Sequence, residues 1–233
     1  MSDDRIAIMG GTGDLGFGLA LRWAQAGVPV LIGSRDESRA KQAAARVKES
    51  LDSRGPRPID LSIDGFENAR AAAEASIVVI AVPIAVQAAI IKSIRDSLKN
   101  AIVVDATVPL AAALGGKPTR ILQLWQGSAA EQARELVPAT TSVLSAFHNV
   151  SAEVLQDLDA TPDCDILVCG DDDAAKKVLF PLVRLIPGLR PIDAGPLEMS
   201  RAVEEITALL ISVNRRYRVH HSGIRLTGSE FKL

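Results

Sequence analysis

Aromatic, histidine and cysteine side chains are scarce in this chain. Its 233 residues include three histidines, two cysteines and 3% aromatics. So few rings leave no series of platforms on which nucleic-acid bases could stack. The net charge of −2 provides no basic surface to displace the counterions of a polyanion. Cys164 and Cys169 sit at either end of Asp165-Ile166-Leu167-Val168. If that run is a strand, the odd spacing sends the two thiols to opposite faces, which excludes a disulfide or a shared metal and predicts buried free thiols. Metal-ligand spacing is missing, and so is a Gly-x-Ser-x-Gly elbow. The acidic Asp171-Asp172-Asp173 stands just before a helical pattern, where carboxylates cap free N–H groups. No apolar run is long enough to span a bilayer: the most apolar stretch, Ile77 to Val86, is short and broken by Pro83. Met1 to Arg5 is acidic where a secretory signal would be basic. The expectation is a soluble cytoplasmic protein with no nucleic-acid or membrane partner.

What the chain has is a hydrophobic content of 48%, enough for one large domain or for one with a small satellite. Short apolar runs alternate with helical patterns. Strands are expected over 5–9, 28–32, 59–63, 77–82, 101–106, 140–147, 165–169 and 190–193. Helices are expected over 15–26, 37–51, 66–75, 86–98, 129–136, 172–186 and 201–214, with a helical turn or two over 151–158. Leu15, Leu19, Trp23 and Ala26 share one helix face, and Gly27 supplies the C-terminal stop. The near-continuous β-branched run from Ile77 to Val82 marks a central strand covered on both faces.

Between the first strand and the first helix lies Gly10-Gly11-Thr12-Gly13-Asp14-Leu15-Gly16. Gly11-x-Gly13-x-x-Gly16 between strand and helix is the context in which this spacing cradles a pyrophosphate. Glycines allow the tight turn. Thr12, Asp14 and Leu15 then offer backbone donors at a helix N-terminus. The fold class that follows is α/β: a Rossmann-type doubly wound parallel sheet with a small C-terminal α/β domain. The boundary is placed at 148/149, giving a nucleotide domain (1–148) and a smaller unit (149–233) that completes the substrate cleft.

The second strand ends in Gly33-Ser34-Arg35-Asp36. A binder of NAD commonly ends this strand in a carboxylate that accepts from the ribose 2′-hydroxyl. Here Ser34 can donate to a 2′-phosphate, and Arg35 can clamp it and stack on adenine. Arg39 stands one turn further along the helix. Asp36 argues for a ribose partner unless it caps the helix starting at Glu37. On this chemistry NADP is favoured over NAD. Pro83 and Thr107-Val108-Pro109 close two further strands at the edge where open α/β sheets bind ligands. They either floor the ribose and nicotinamide or serve only as turns.

Acid–base groups are few at the expected reacting end. His148 closes the strand over 140–147 and either orients a partner ring or is a hydrogen-bonded structural histidine. That shortage suits hydride transfer between two stacked heteroaromatic rings, which needs positioning more than proton chemistry.

With these strings in place the chain resembles the NADPH-dependent reductases of coenzyme F-420 (F420), the 8-hydroxy-5-deazaflavin:NADP oxidoreductases. The resemblance runs through Ile8 to Gly16, Gly18 to Arg22, Gly33-Ser34-Arg35, Gly127 to Glu131 and Ser145 to Val150. It continues in Cys169 to Asp173 with Lys176-Lys177, and in Gly188 to Leu197. It implies reversible hydride transfer between NADP(H) and the deazaflavin, in a homodimer. By the same resemblance Gly11 to Leu15 hold the pyrophosphate and Ser34, Arg35 and Arg39 the 2′-phosphate. Val82, Pro83, Val108, Ala152 and Ser222 surround the nicotinamide end. His148 floors the deazaflavin cleft, with Pro109, Asn149 and Val150 as further substrate contacts. The alternatives are an NADPH-dependent reductase of a flavin, quinone, ferric chelate or imine, and a non-enzymatic NADP(H) redox sensor.

Overall fold

The computed structural model describes residues 5–55 and 62–228. In chain order the elements are β1 (Ile6–Met9), α1 (Asp14–Gln25), β2 (Val30–Ser34), α2 (Glu37–Asp52), β3 (Ile63–Glu67), α3 (Asn68–Ala73), β4 (Ile77–Ile80) and α4 (Ile84–Ile94). They continue with β5 (Ile102–Asp105), α5 (Ala129–Leu136), β6 (Val143–Ser145), α6 (Ala152–Gln156), β7 (Cys164–Gly170), α7 (Asp173–Arg184), β8 (Leu189–Gly195) and α8 (Ser200–Tyr217). The strands form one sheet in the order β3-β2-β1-β4-β5-β6-β7-β8. All neighbours are parallel except β6 and β7.

The doubly wound arrangement follows from residue parity. Ile6, Ile8, Ile32, Val79, Val104 and Leu144 point to one face, under α1, α2, α6 and α7. Ala7, Met9, Leu31, Val78, Ile80 and Val103 point to the other, under α3, α4 and α5. Alternate side chains of a strand take opposite faces, and a parallel sheet covered on both sides needs both sets apolar. The first core runs on through Ile166, Val168 and Leu189 of the last two strands. The two cysteines obey the same rule. Cys164 joins the first core, Cys169 packs with Leu167, Ile192 and Val203 of α8, and both are free.

Three departures from the sequence pattern have local causes. The β6/β7 pair is antiparallel, with Ser145 opposite Cys169, so β7 enters the sheet at the edge where β6 leaves it. Of the strand expected over 59–63, residues 59–61 lie outside the described residues. The observed β3 runs on to Glu67, through positions read as helix. Gly65 permits this: a Cβ there would lie 2.2–2.3 Å from the Ala40 and Lys41 backbone, so only glycine lets α2 lie against this edge strand. The strand expected over 140–147 shrinks to three residues. The Arg134 guanidinium binds the carbonyls of Pro138 and Thr141 just before it. Phe147 closes it in the left-handed region at φ 68°, a conformation costly for a bulky residue. Packing holds that turn, since the Phe147 ring is fully buried and meets Trp23 edge-on at 5.6 Å.

The short helix α6 is tied to α1 by a buried cation. Arg22 Nε donates to the Leu155 carbonyl at 2.9 Å, and its Nη2 lies 2.6–2.7 Å from the carbonyls of Val154, Asp157 and Ala160. Val154 and Leu155 are carbonyls that the end of α6 leaves unpaired, and Asp157 and Ala160 belong to the turn that follows it. Gly18 makes the close approach possible, because a Cβ there would sit 2.7 Å from Leu155 Cβ.

Candidate active site

The chain order reverses between β1 and β4, and at that switch point the sheet opens a cavity of about 520 Å³. This is where doubly wound sheets take ligands, and the volume suits a small-molecule site. Loops leaving four neighbouring strands line it. Gly10, Thr12 and Gly13 come from β1, Gly33 to Asp36 from β2, Asn68 from β3, and Ala81 to Pro83 from β4.

The glycine loop divides its labour. Gly11 and Gly13 spend their N–H groups on the Ile8 and Gly10 carbonyls, shaping the turn. The N–H groups of Thr12, Asp14 and Leu15 have no hydrogen-bond partner among the described residues, so they remain available at the start of α1. Gly16 lets the helix sit on the loop: its Cβ would come within 2.4 Å of the Gly10 carbonyl oxygen. Gly10 itself turns at φ 93°, against Ala81 of the β4 loop. Free donors, a helix N-terminus and a backbone wall stripped of side chains fit a pyrophosphate.

At the neighbouring strand end the charges are sorted. Asp36 caps α2, its Oδ1 accepting from Ser38 N at 2.8 Å and from the Ser38 hydroxyl at 2.7 Å. The Ser38 hydroxyl and N–H, with help from Arg39, hold this carboxyl below its usual pKa. Arg35 forms no hydrogen bond or ion pair among the described residues, and Arg35 and Arg39 both line the cavity beside the half-buried Ser34. Two exposed cations and a hydroxyl on one wall are the chemistry that suits a phosphate dianion. The capping reading of Asp36 therefore holds.

Val82 and Pro83 carry the cavity along the edge towards β5. Val108 and Pro109 follow β5 and line neither this cavity nor the next one. Their position is set by Asp105, which is fully buried. Its Oδ1 accepts from Thr107 N at 3.0 Å and its Oδ2 from Gln87 Nε2 at 2.7 Å. Gln87 also donates to the Ala129 carbonyl and accepts from Gln132. Glu204 of α8, 1% exposed, takes the N–H groups of Ala129 and Ala130 at the start of α5. This network ties the β5 loop to α4, α5 and α8, and the sequence reading missed it. Its signal was an aspartate closing a β-branched run.

Burial pushes the Asp105 carboxyl up to about 7, against the hydrogen bonds from Gln87 and Thr107. Burial likewise raises Glu204 to about 8, with the Asp105 charge adding to it and the Ala129 N–H opposing. Both folded values lie above those of free carboxyls. The native state therefore binds more protons than the unfolded chain between about pH 4 and pH 8. The stabilisation is complete below the unfolded pKa and is lost as pH rises through the folded one. Each carboxyl contributes up to about 1.4 kcal/mol per pH unit, and the buried His148, lowered to about 4, opposes one of them up to its free value. Urea unfolding should accordingly show stability falling by about 1 to 1.5 kcal/mol per pH unit from pH 5 to 6.5. In Glu204→Gln that slope should be shallower. An unchanged slope would show that Glu204 does not titrate with folding.

The remaining predicted residues gather further along the same edge. Ala152 opens α6 beside α1, where Gln156 Nε2 donates to the Asp14 carbonyl at 2.9 Å. Asn149, Val150 and Ser222 line a second cavity of about 120 Å³ with Ser151, Cys164 and His221. Asn149 Nδ2 donates to the Asp165 carbonyl, and Ser222 N donates to Asn214 Oδ1. His148 is 5% exposed and lines neither cavity. Neither ring nitrogen has a partner among the described residues, and burial lowers its pKa to about 4. It is a neutral ring at physiological pH, and the hydrogen-bonded alternative for it is not what the structure contains.

Elsewhere Asp172 caps α7 through Ala174 N and Ala175 N, as the capping expectation for this acidic run requires, while Asp171 instead accepts from Leu197 N after β8. Burial raises the Cys164 thiol to about 11, against Arg225, so it stays protonated.

Fold and site together define a Rossmann-type dinucleotide-binding protein. The sequence model of a family described as NADP oxidoreductase, coenzyme F420-dependent, matches residues 5–109. A protein of Methanocaldococcus jannaschii named F420-dependent NADP reductase is 48% identical over 97% of this chain and 99% of its own. One of the same name from Methanothermobacter thermautotrophicus is 46% identical over 96% and 94%. A solved chain from Arthrobacter sp. FB24, described as a candidate F420-dependent NADP reductase, superposes with a TM-score of 0.79 over 96% of this chain and 99% of that one, at 24% identity. That last likeness speaks for the fold. This chain belongs to the F420-dependent NADP reductase family.

Proposed function

We infer that the protein transfers a hydride reversibly between NADP(H) and coenzyme F420. The observation that carries this is likeness at 44–48% identity, over nearly the whole chain, to proteins named for that reaction. The local chemistry agrees: free N–H donors at α1, a capped Asp36, and Arg35 and Arg39 beside Ser34 suit a phosphorylated dinucleotide.

The chain's contribution is positioning. Thr12, Asp14 and Leu15 hold the pyrophosphate through backbone donors, while Gly11 and Gly13 shape the loop that presents them. Ser34, Arg35 and Arg39 hold the 2′-phosphate. Neighbouring strands lie about 4.8 Å apart, so the ends of β5 and β6 stand about 5 and 10 Å beyond β4 along the edge. A dinucleotide lying along that edge brings its nicotinamide towards Val82, Pro83, Val108, Ala152 and Ser222. The nicotinamide supplies or accepts the hydride. Pro109, Asn149 and Val150 form the deazaflavin side, with His148 buried behind it as a neutral ring that backs that wall. A group with a pKa near 4 is no proton donor at neutral pH. Residues 149–228 complete the cleft and supply dimer contacts; the exposed Leu209 and Tyr217 of α8 and the exposed Trp125 support such an interface. Two buried free thiols support a reducing, cytoplasmic setting.

The test is an absorbance trace of purified protein with NADPH and oxidised F420. Bleaching of the deazaflavin band at catalytic protein concentration, slower with NADH, is the expected result. NADPH binding without bleaching would remove the deazaflavin and leave a flavin, quinone, ferric chelate or imine as acceptor, or a sensor with none.

A further inference from the structure

One buried polar group at the nucleotide cavity has no part in the assignments above. Asn68 is the first residue of α3 and follows Glu67, which pairs with Ser34 across the β2/β3 ladder. Its side chain is 2% exposed and lines the cavity with Gly33, Ser34 and Arg35. Its Oδ1 has no hydrogen-bond donor among the described residues and lies closed to solvent beside Gly33; no hydrogen bond fixes the amide, so a half-turn about its last side-chain torsion presents the oxygen to the cavity. Gly33 makes room for it, since a Cβ at Gly33 would lie 3.0 Å from that oxygen. Buried side-chain carbonyls are nearly always paired, and an unpaired one against a ligand cavity marks a place where the ligand brings the donor.

The donor's identity follows from position and chemistry. The cavity wall at Ser34 and Arg35 is where a 2′-phosphate docks, and phosphate oxygens are acceptors that cannot satisfy a carbonyl. Beside a 2′-phosphate the ribose keeps one proton donor, its 3′-hydroxyl. A carboxylate at this place would accept that proton but repel the dianion next to it. An amide accepts without the charge. We propose that Asn68 reads the adenosine ribose, its Oδ1 accepting from the 3′-hydroxyl, and that its neutrality helps the site prefer the phosphorylated nucleotide. The inference rests on the NADP reading.

The experiment is calorimetric titration of NADP+ and NAD+ into the wild type, Asn68→Leu and Asn68→Asp. The leucine variant keeps the volume and loses the acceptor, so both nucleotides should weaken by about fivefold, the effect of one neutral hydrogen bond. The aspartate variant keeps the acceptor and adds charge. NADP+ should weaken more than tenfold while NAD+ stays within about threefold, lowering the NADP+/NAD+ preference. Asn68→Asp carries the test alone if the leucine variant does not fold. Equal affinities in all three proteins would overturn the proposal. So would a loss confined to NADP+ in Asn68→Leu, which would make the amide a phosphate donor. A leucine effect that vanishes with the hypoxanthine analogue of NADP+ would move the contact to the adenine amino group and also overturn it. A wild type that binds no NADP+ would sink the nucleotide reading itself, and this inference with it.

Discussion

Arg35→Asp is expected to weaken NADPH binding about a hundredfold and to leave NADH within about threefold. Among the described residues Arg35 forms no hydrogen bond or ion pair, so its substitution breaks no contact there. In the complex its guanidinium meets a phosphate dianion, and hydrogen bonds to charged groups contribute about 1.5–3 kcal/mol each. Reversal adds repulsion from the new carboxylate, screened by water at this exposed wall. Together these reach about 2.7 kcal/mol, which is a hundredfold. NADH carries a hydroxyl at that place, to which a carboxylate is a tolerable acceptor. Fluorescence titration of both nucleotides at two salt concentrations checks the claim, because the NADPH loss should shrink as salt rises. Equal losses for both nucleotides would place Arg35 at the adenine face and remove it from the 2′-phosphate site.

What made this site legible in the sequence is that its parts are local. A glycine loop between strand and helix needs only its own neighbours: the free N–H groups of Asp14 and Leu15 follow from helix geometry and that of Thr12 from the turn before it. The Asp36 cap is a contact across two residues, and the cysteine faces follow from parity. What escaped depends on partners distant in the chain. The reversal at β6/β7 is a pairing choice between strands with no signature in either run. The extension of β3 to Glu67 depends on how closely Gly65 lets α2 approach. Asn68 looks like any first residue of a helix until β3 sets it beside Ser34. Asp105, Gln87 and Glu204 come from three separate elements and acquire meaning only when burial brings them together. His148 was legible as a strand-end residue, but its lack of partners was not, because that depends on everything packed around it.

Arg22 shows how such a long-range contact couples stability to the site. Arg22→Met should lower the unfolding free energy by about 3–5 kcal/mol, the summed cost of the buried carbonyls it leaves without a donor. The methionine nearly fills the space, so the loss comes from the carbonyls of Val154, Leu155 and Ala160, 132 to 138 positions along the chain, while the Asp157 carbonyl keeps the Ala160 N–H. Each buried carbonyl left unpaired costs about 1–3 kcal/mol, and water entering from the α6 end recovers part of it. In a chain of this length that corresponds to a melting temperature lower by about 10 °C. The loss should not be uniform. Without the clamp, α6 is held to α1 by Leu155 against Gly18 and by Gln156 on the Asp14 carbonyl, so α6 should open before the sheet does. Hydrogen exchange would then show α6 amides losing protection while those of β1 and β4 keep theirs. Gln156 also steadies Asp14, whose N–H is proposed to face the pyrophosphate, so NADPH affinity should fall as well, although Arg22 does not line the cavity. A stability loss below about 1 kcal/mol with α6 protection intact would mean that packing alone holds the helix, and the clamp would be a passenger.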